Sequence, residues 1–333
     1  ISGKIPGFYV LSVDKIANKL IEDGKDVIKL NLGKSEFSMS AYAGLRNIII
    51  IGILYGFHGL INRSLLIDGV NEIFLVTARI SLVCLILGLY CIRDFINEIN
   101  LSYFLKGSLT GVLAILTPGW TFIYALKNIS SGLVSIFIST IPLFTVIWVY
   151  FFYKDEKITK LKIFSILVGF IGLVVLFLSG VTGISGDGDL TTGGILALIG
   201  VQGLALSNIT NRKHSQYIPA KVYLFTQWLI GGLISVVLFL ILDGNIGVIT
   251  YSISLKILGL VFIDIASYSL FFYTIKRVSA SFTTLVDYVV PVVGITAGYL
   301  LLDEVINNIF FITVLLIFVS LYLAVKDESR NLH

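Results

Sequence analysis

Two carboxylates stand inside stretches otherwise apolar enough to lie in lipid: Asp264 in FIDIASYSLFFY and Asp287 in FTTLVDYVVPVVGITAGYLLLDE. An ionised carboxylate in the core of a bilayer is costly unless it is paired or hydrated, so residues of this kind mark sites that hold a cation or relay a proton. Two neighbouring carboxylates in a low-dielectric site resist ionising together, which keeps a proton on one of them. Helical spacing gathers other polar groups around the pair. Tyr55, His58, Gly59 and Asn62 recur at i, i+3, i+4 and i+7; so do Asp264, Ser267, Tyr268 and Phe271, and so do Thr284, Asp287, Tyr288 and Pro291. Each set is one polar stripe on one helix, and three such stripes meeting would line a cavity. A carboxylate flanked by Tyr268, Phe271 and Phe272 could hold a cation by charge and by ring faces together.

Each residue also has a plainer reading. Tyr55 and His58 either line the cavity or bond across a helix interface. Arg79, in LVTARISLVCLILGL, either pins the fold by pairing with a carboxylate or capping carbonyls, or meets the carboxylate of a zwitterionic ligand. Pro142 and Pro291 are kinks, of use for gating or simply for packing. Gly52 and Gly56 form a small-xxx-small contact that reads as packing. Cys84 and Cys91 lie seven residues apart on one helix, where a disulfide cannot close. His58, His214 and His333 are scattered and make no metal-ligand pattern. No Gly-rich loop ending in Lys-Ser or Lys-Thr appears, which counts against an ATP-driven pump. No catalytic residue, metal or cofactor is expected, and the chain does not read as an enzyme.

The elements that must position these groups follow from composition. Of 333 residues 56% are hydrophobic and 13% charged, with a mean hydropathy of +0.96, where a soluble domain carries about 25% charged residues. Ten runs are long and apolar enough to span a bilayer: 46–65, 72–92, 104–126, 131–152, 160–180, 193–211, 220–242, 253–274, 280–301 and 307–325. They are too long and continuous for barrel strands, so the expected fold class is an all-α membrane protein. Lys and Arg between the runs orient it, because basic residues are retained in the cytoplasm. With the N-terminus inside, the inner connections and tail hold thirteen (Arg93, Lys106, Lys154, Lys157, Lys160, Lys162, Arg212, Lys213, Lys221, Lys276, Arg277, Lys326, Arg330) and the outer ones three (Arg63, Lys127, Lys256). A multi-pass protein of the cell membrane, inner or plasma, with both termini cytoplasmic is expected. GISGDGDLTTGG, 183–194, then reads as a flexible outer connector.

The chain also matches itself. FIYALKNISSGLVSIFISTIPLFTVIWVYFFYKDE, 122–156, aligns with FFYTIKRVSASFTTLVDYVVPVVGITAGYLLLDE, 271–304. Tyr124, Lys127, Ser130 and Pro142 fall on Tyr273, Lys276, Ser279 and Pro291 at one constant offset, and the closing Asp-Glu pair follows after a single-residue gap. Ten helices as a 5+5 inverted repeat follow, since an odd number per half turns the second half over. The domains read as an N-terminal cytoplasmic arm, 1–45; a first five-helix repeat, 46–180; an outer loop, 181–192; a second repeat, 193–326; and a cytoplasmic tail, 327–333.

The doubled motif, a Tyr-Ala-Leu-Lys-like start, a mid-helix proline and an acidic pair, resembles the drug/metabolite transporter superfamily and its EamA-type ten-helix members over about residues 46 to 326. The resemblance implies a central cavity and movement of small metabolites, and it places an arginine where Arg79 stands. Many members carry Trp-Gly in the first helix, whereas this chain has Tyr55-Gly56. The Asp-x-x-Ser-Tyr of 264–268 is similar to the eighth helix of bacterial choline permeases in the same superfamily. Residues 1–45 resemble instead the N-terminal arm of class I aminotransferases, in GKDVIKLNLG, without that family's catalytic lysine or cofactor-binding segments; the arm reads either as a dispensable remnant or as a cytoplasmic regulatory arm.

The expected function is therefore secondary active transport of a small polar metabolite, an amino acid or an organic cation or amine, by alternating access and with proton coupling, through a site of Tyr55, His58, Arg79, Asp264, Tyr268, Asp287 and Tyr288. A non-transporting membrane scaffold or a lipid scramblase is the alternative. Expected partners are the small-molecule substrate, the lipid bilayer and a second copy in a homodimer, with no nucleic acid.

Overall fold

The computed structural model describes residues 41–152, 159–181, 183–184, 188–215, 217–242, 244–275 and 286–331. The arm at 1–40, and with it Lys276, Ser279 and Thr284, lies outside these residues.

All regular structure among them is helical: α1 (Ala41–Ile67), α2 (Glu72–Glu98), α3 (Leu101–Gly111), α4 (Thr117–Asn128), α5 (Ser131–Ile138), α6 (Ile141–Phe152), α7 (Lys160–Ser179), α8 (Leu190–His214), α9 (Ala220–Ile241), α10 (Tyr251–Ile275), α11 (Val286–Leu302) and α12 (Asn308–Asn331). Seven spans are long and apolar enough to cross a membrane, and three shorter apolar helices fall in the fifth, ninth and tenth places. The order is that of the ten runs in the sequence.

Short polar residues start the helices. Asn71 accepts from the Phe74 amide (3.1 Å), Asn100 from Tyr103 (2.9 Å) and Ser130 from Leu133 (3.1 Å), each satisfying an N–H that the first turn leaves without a partner. Asp189 does the same for Thr191 and Thr192; the Thr192 hydroxyl and these amides hold its carboxyl below the usual carboxylate range.

Prolines interrupt two spans. The third span has a π-helical turn, Val112–Leu116, between α3 and α4, immediately before Thr117-Pro118. Pro118 has no N–H to return to the Ala114 carbonyl one turn back. In the fourth span the chain leaves helical geometry at Ser139–Thr140, just ahead of Pro142, and α6 begins afresh. Pro291 instead lies buried within α11.

The neighbours of each helix follow the repeat. Exchanging every span with the one five places on turns α4 against α8 into α10 against α1, α6 against α8 into α11 against α1, and α3 against α9 into α10 against α2. The contacts α7 with α12, α2 with α9 and α5 with α11 map onto themselves. The two halves are thus packed across an internal two-fold relation, as inverted repeats require. Close approach fixes several of these contacts. A Cβ added at Gly52 or Gly56 would stand 2.4 and 2.5 Å from Val289 and Val293 of α11, so the small-xxx-small pair is the seat of α11 on α1.

Candidate functional site

Asp264 of α10 and Arg79 of α2 are 4% and 5% exposed, too little for water to solvate either charge. They solvate each other: Arg79 Nη1 donates to Asp264 Oδ2 at 2.9 Å. His58 of α1 completes the cluster, its Nε2 2.7 Å from Arg79 Nη1 and 3.3 Å from Asp264 Oδ1. A guanidinium only donates, so Nε2 without a proton accepts from Arg79, and Nε2 with a proton donates to Asp264 instead. Asn62, one turn along α1, donates to the His58 carbonyl (2.8 Å), and its Nδ2 lies 3.2 Å from His58 Nδ1.

Arg79 fits where it does because Gly119 of α4 is bare; a Cβ there would be 3.2 Å from Nη2. Nη1 is committed, but Nε is buried with no hydrogen-bond partner among the described residues. One donor of a buried cation is left unused.

Tyr268 ties α10 to the π turn. Its hydroxyl donates to the Ala114 carbonyl at 3.2 Å, the carbonyl that Pro118 leaves without its usual amide. Its ring meets Trp228 of α9 edge-on at 5.4 Å and stacks on Phe272 at 6.4 Å. Tyr55 lies on the other side, hydrogen-bonded to Ser267 and within the fields of both Asp264 and Asp287. Ser267 in turn donates to the Asp264 carbonyl (3.3 Å).

The fold thus brings Tyr55, His58, Arg79, Asp264 and Tyr268 together from α1, α2 and α10. Asp287, on the first turn of α11, joins them through Tyr55 and makes no ion pair among the described residues. The Tyr288 side chain lies outside the described ones. Pro142 stands on α6 and Pro291 on α11, one turn on from Asp287. Sequence reading took Asp264 and Asp287 as facing carboxylates; the structure gives Asp264 two basic partners and Asp287 none among the described residues. It overlooked Pro118 and Trp228. A proline in the middle of the third apolar run was the available signal for the first; the second had none.

The profile of the EamA-like transporter family matches residues 43–178 and again 191–326. The chain belongs to the EamA-like transporter family. A solved crystal structure superposes with a TM-score of 0.59 at 17% identity, over 85% of this chain and 96% of its own, which bears on the fold alone. No curated protein matches in sequence. As an EamA-like protein the chain is a multi-pass membrane protein of a family that carries small molecules across bilayers.

The family repeat also shows how lopsided the site is. One hundred and forty-nine residues separate matched positions, and this offset pairs Arg79 with Trp228, Asp264 with Ile115 and Asp287 with Ile138. The same offset relates Gly119, beside Arg79, to Tyr268, beside Trp228. All three titratable or charged groups therefore have apolar or aromatic counterparts across the internal two-fold.

Proposed function

We propose that this EamA-like protein is a secondary active transporter that moves a small zwitterionic or cationic metabolite, an amino acid or an amine, by alternating access. The unused Nε of Arg79 beside the Asp264 carboxylate carries the reading. A ligand carboxylate has a buried donor waiting for it, and a ligand ammonium has Asp264 within reach of the same spot. Pairing both charges at once keeps the cluster neutral, which a low-dielectric site demands. An ammonium alone would compete with Arg79 for Asp264; Trp228 and Tyr268 supply ring faces for it.

Asp287 is the group suited to a proton. It sits in the membrane without an ion-pair partner among the described residues, so its charge depends on what enters the cavity. Asp287→Asn should leave substrate binding in place and make uptake insensitive to an imposed pH gradient. Unchanged pH-gradient dependence in that variant rules out Asp287 as the coupling group.

The deciding experiment is uptake of labelled amines, amino acids and nucleosides into proteoliposomes, with a fluorescent lipid in the same vesicles. Accumulation of an amino acid or amine above its equilibrium level under a gradient supports the proposal. Movement of the lipid alone supports a scramblase, and movement of neither supports a scaffold.

Orientation is part of the proposal, and the basic residues of the inner connections support it. Lys221 pairs with Asp94 (2.7 Å) and Lys106 lies over Tyr217 (5.0 Å) at the end assigned to the cytoplasm. Thr191→Cys, exposed at the start of α8, should react with an impermeant thiol reagent in intact cells. Tyr217→Cys, 45% exposed at the opposite end, should react only after the membrane is breached. The reverse pattern inverts the topology.

A further inference from the structure

The two repeats pack alike, and one end of the bundle is tied by side chains that reach from one repeat into the other. At the end where α4 finishes and α5 begins, α1 also touches both of these helices. Two charged side chains, Glu304 and Arg63, hold these helices together there.

Glu304 follows α11 and is 7% exposed. Its carboxylate accepts the Ser131 amide at Oε1 (2.7 Å) and the Gly132 amide at Oε2 (3.1 Å). With Ser130 already taking Leu133, the first three amides of α5 are satisfied, two of them by a residue from the other repeat. An anion there also complements the positive end of the helix dipole. The chain turns sharply to deliver it: Asp303 adopts φ +51, and the Glu304 amide returns to the Gly298 carbonyl (3.2 Å). Gly298 must stay bare, since a Cβ would stand 2.2 Å from Glu304 Oε2.

Arg63 of α1 does the converse. Its Nη1 donates to the Leu126 carbonyl in the last turn of α4, a cation on the negative end of a helix, and the guanidinium lies in the field of Glu304. A carboxylate just after α11 of the second repeat and a guanidinium on α1 of the first thus grip the facing ends of α5 and α4.

The grip is incomplete in a way that suits something made to open. Arg63 Nε, Asn62 Oδ1 and Ser131 Oγ are all buried there without hydrogen-bond partners among the described residues. Each such orphan lowers the stability of the closed arrangement, because water would satisfy it on opening.

We propose that Glu304 and Arg63 form a latch that holds this end of the central cavity shut by capping α5 and α4, and that its release opens the cavity toward the side on which Thr191 lies. The latch rests on the transport reading for its purpose, but its test needs no substrate. Gly59 provides the reporter. It lies on the polar stripe of α1 just below the latch and has room for a side chain, the nearest atom to an added Cβ being Ser131 Cβ at 4.0 Å.

In a Cys84→Ser/Cys91→Ser background, Gly59→Cys is exposed to a charged thiol reagent added from the side at which Thr191→Cys reacts, with no substrate present. The parent should react slowly. Glu304→Gln and Arg63→Gln should each react about tenfold faster or more, the scale of one charge-assisted bond lost from the closed state. Gly298→Ala, whose methyl displaces the same carboxylate from the opposite side, should do likewise and guards against a fold defect peculiar to the charge change. All variants are compared as monodisperse protein after reconstitution. Rates equal to the parent in all three variants overturn the latch, whether or not the protein transports anything. Accelerated rates with no uptake of any solute would leave the latch standing and remove the transport reading instead.

Discussion

Oxidising a Gly59→Cys/Ser131→Cys pair should reduce uptake to the level of empty vesicles, and a reducing agent should restore it. The two Cβ positions are 4.0 Å apart, inside the range of about 3.5–4.5 Å that disulfides span. The bond would join α1 to α5 beneath the Glu304–Arg63 grip, where alternating access requires these helices to part. Ser131 contributes its backbone N–H, not its hydroxyl, to Glu304, so the substitution leaves the cap in place. The background again lacks Cys84 and Cys91, the two free thiols. Either single cysteine should be indifferent to oxidant. Uptake that survives complete cross-linking, judged by loss of free thiol, would mean that this end never opens during transport.

The second large effect lies at the charge cluster. Arg79→Leu or Asp264→Leu each strands the other's charge at a site about 95% removed from solvent, a loss on the order of 3–5 kcal/mol for a buried pair broken from one side. Both variants should melt well below the parent in detergent. The double variant Arg79→Leu/Asp264→Leu, with no charge left to strand, should recover most of that stability, since well-packed apolar residues often replace a buried pair without net cost. Uptake should stay lost in all three. Normal uptake by the double variant would reduce the pair to a structural pin. Melting losses that simply add would show that the two residues are not coupled.

The ten spans were legible because crossing a bilayer is a property of each segment alone: enough apolar residues in a row make a helix whatever its neighbours. Breaks inside spans were less so. The run 104–126 reads as one helix, and only the pairing of Pro118 with the Ala114 carbonyl turns part of it into a π segment that receives Tyr268. The polar stripes of α1 and α10 were visible as spacing, and they do converge. The partner of Asp264 was not visible, because Arg79 reaches it across 185 residues through a contact set by how α2 and α10 are rotated about their axes. Glu304 was visible only as half of a repeated acidic pair at the end of a span; nothing local says that its carboxylate caps a helix of the other repeat.

One further match in the sequence gives the internal two-fold a different weight. Asn62-Arg63, at the latched end of α1, recurs as Asn211-Arg212 in α8, at the offset that relates the repeats. Where two arrangements of a bundle are built from the same helix pairings with their roles exchanged, most of their packing energy cancels in the difference. What remains is a handful of unlike residues at the two ends, so the balance between the arrangements is set locally. A change of about 1.4 kcal/mol at either end shifts it tenfold. For the transporter proposed above, direction of net flow would then be no property of the scaffold but of the gradients across the bilayer, and a few substitutions near Glu304 or Arg63 would retune which side the empty protein waits on.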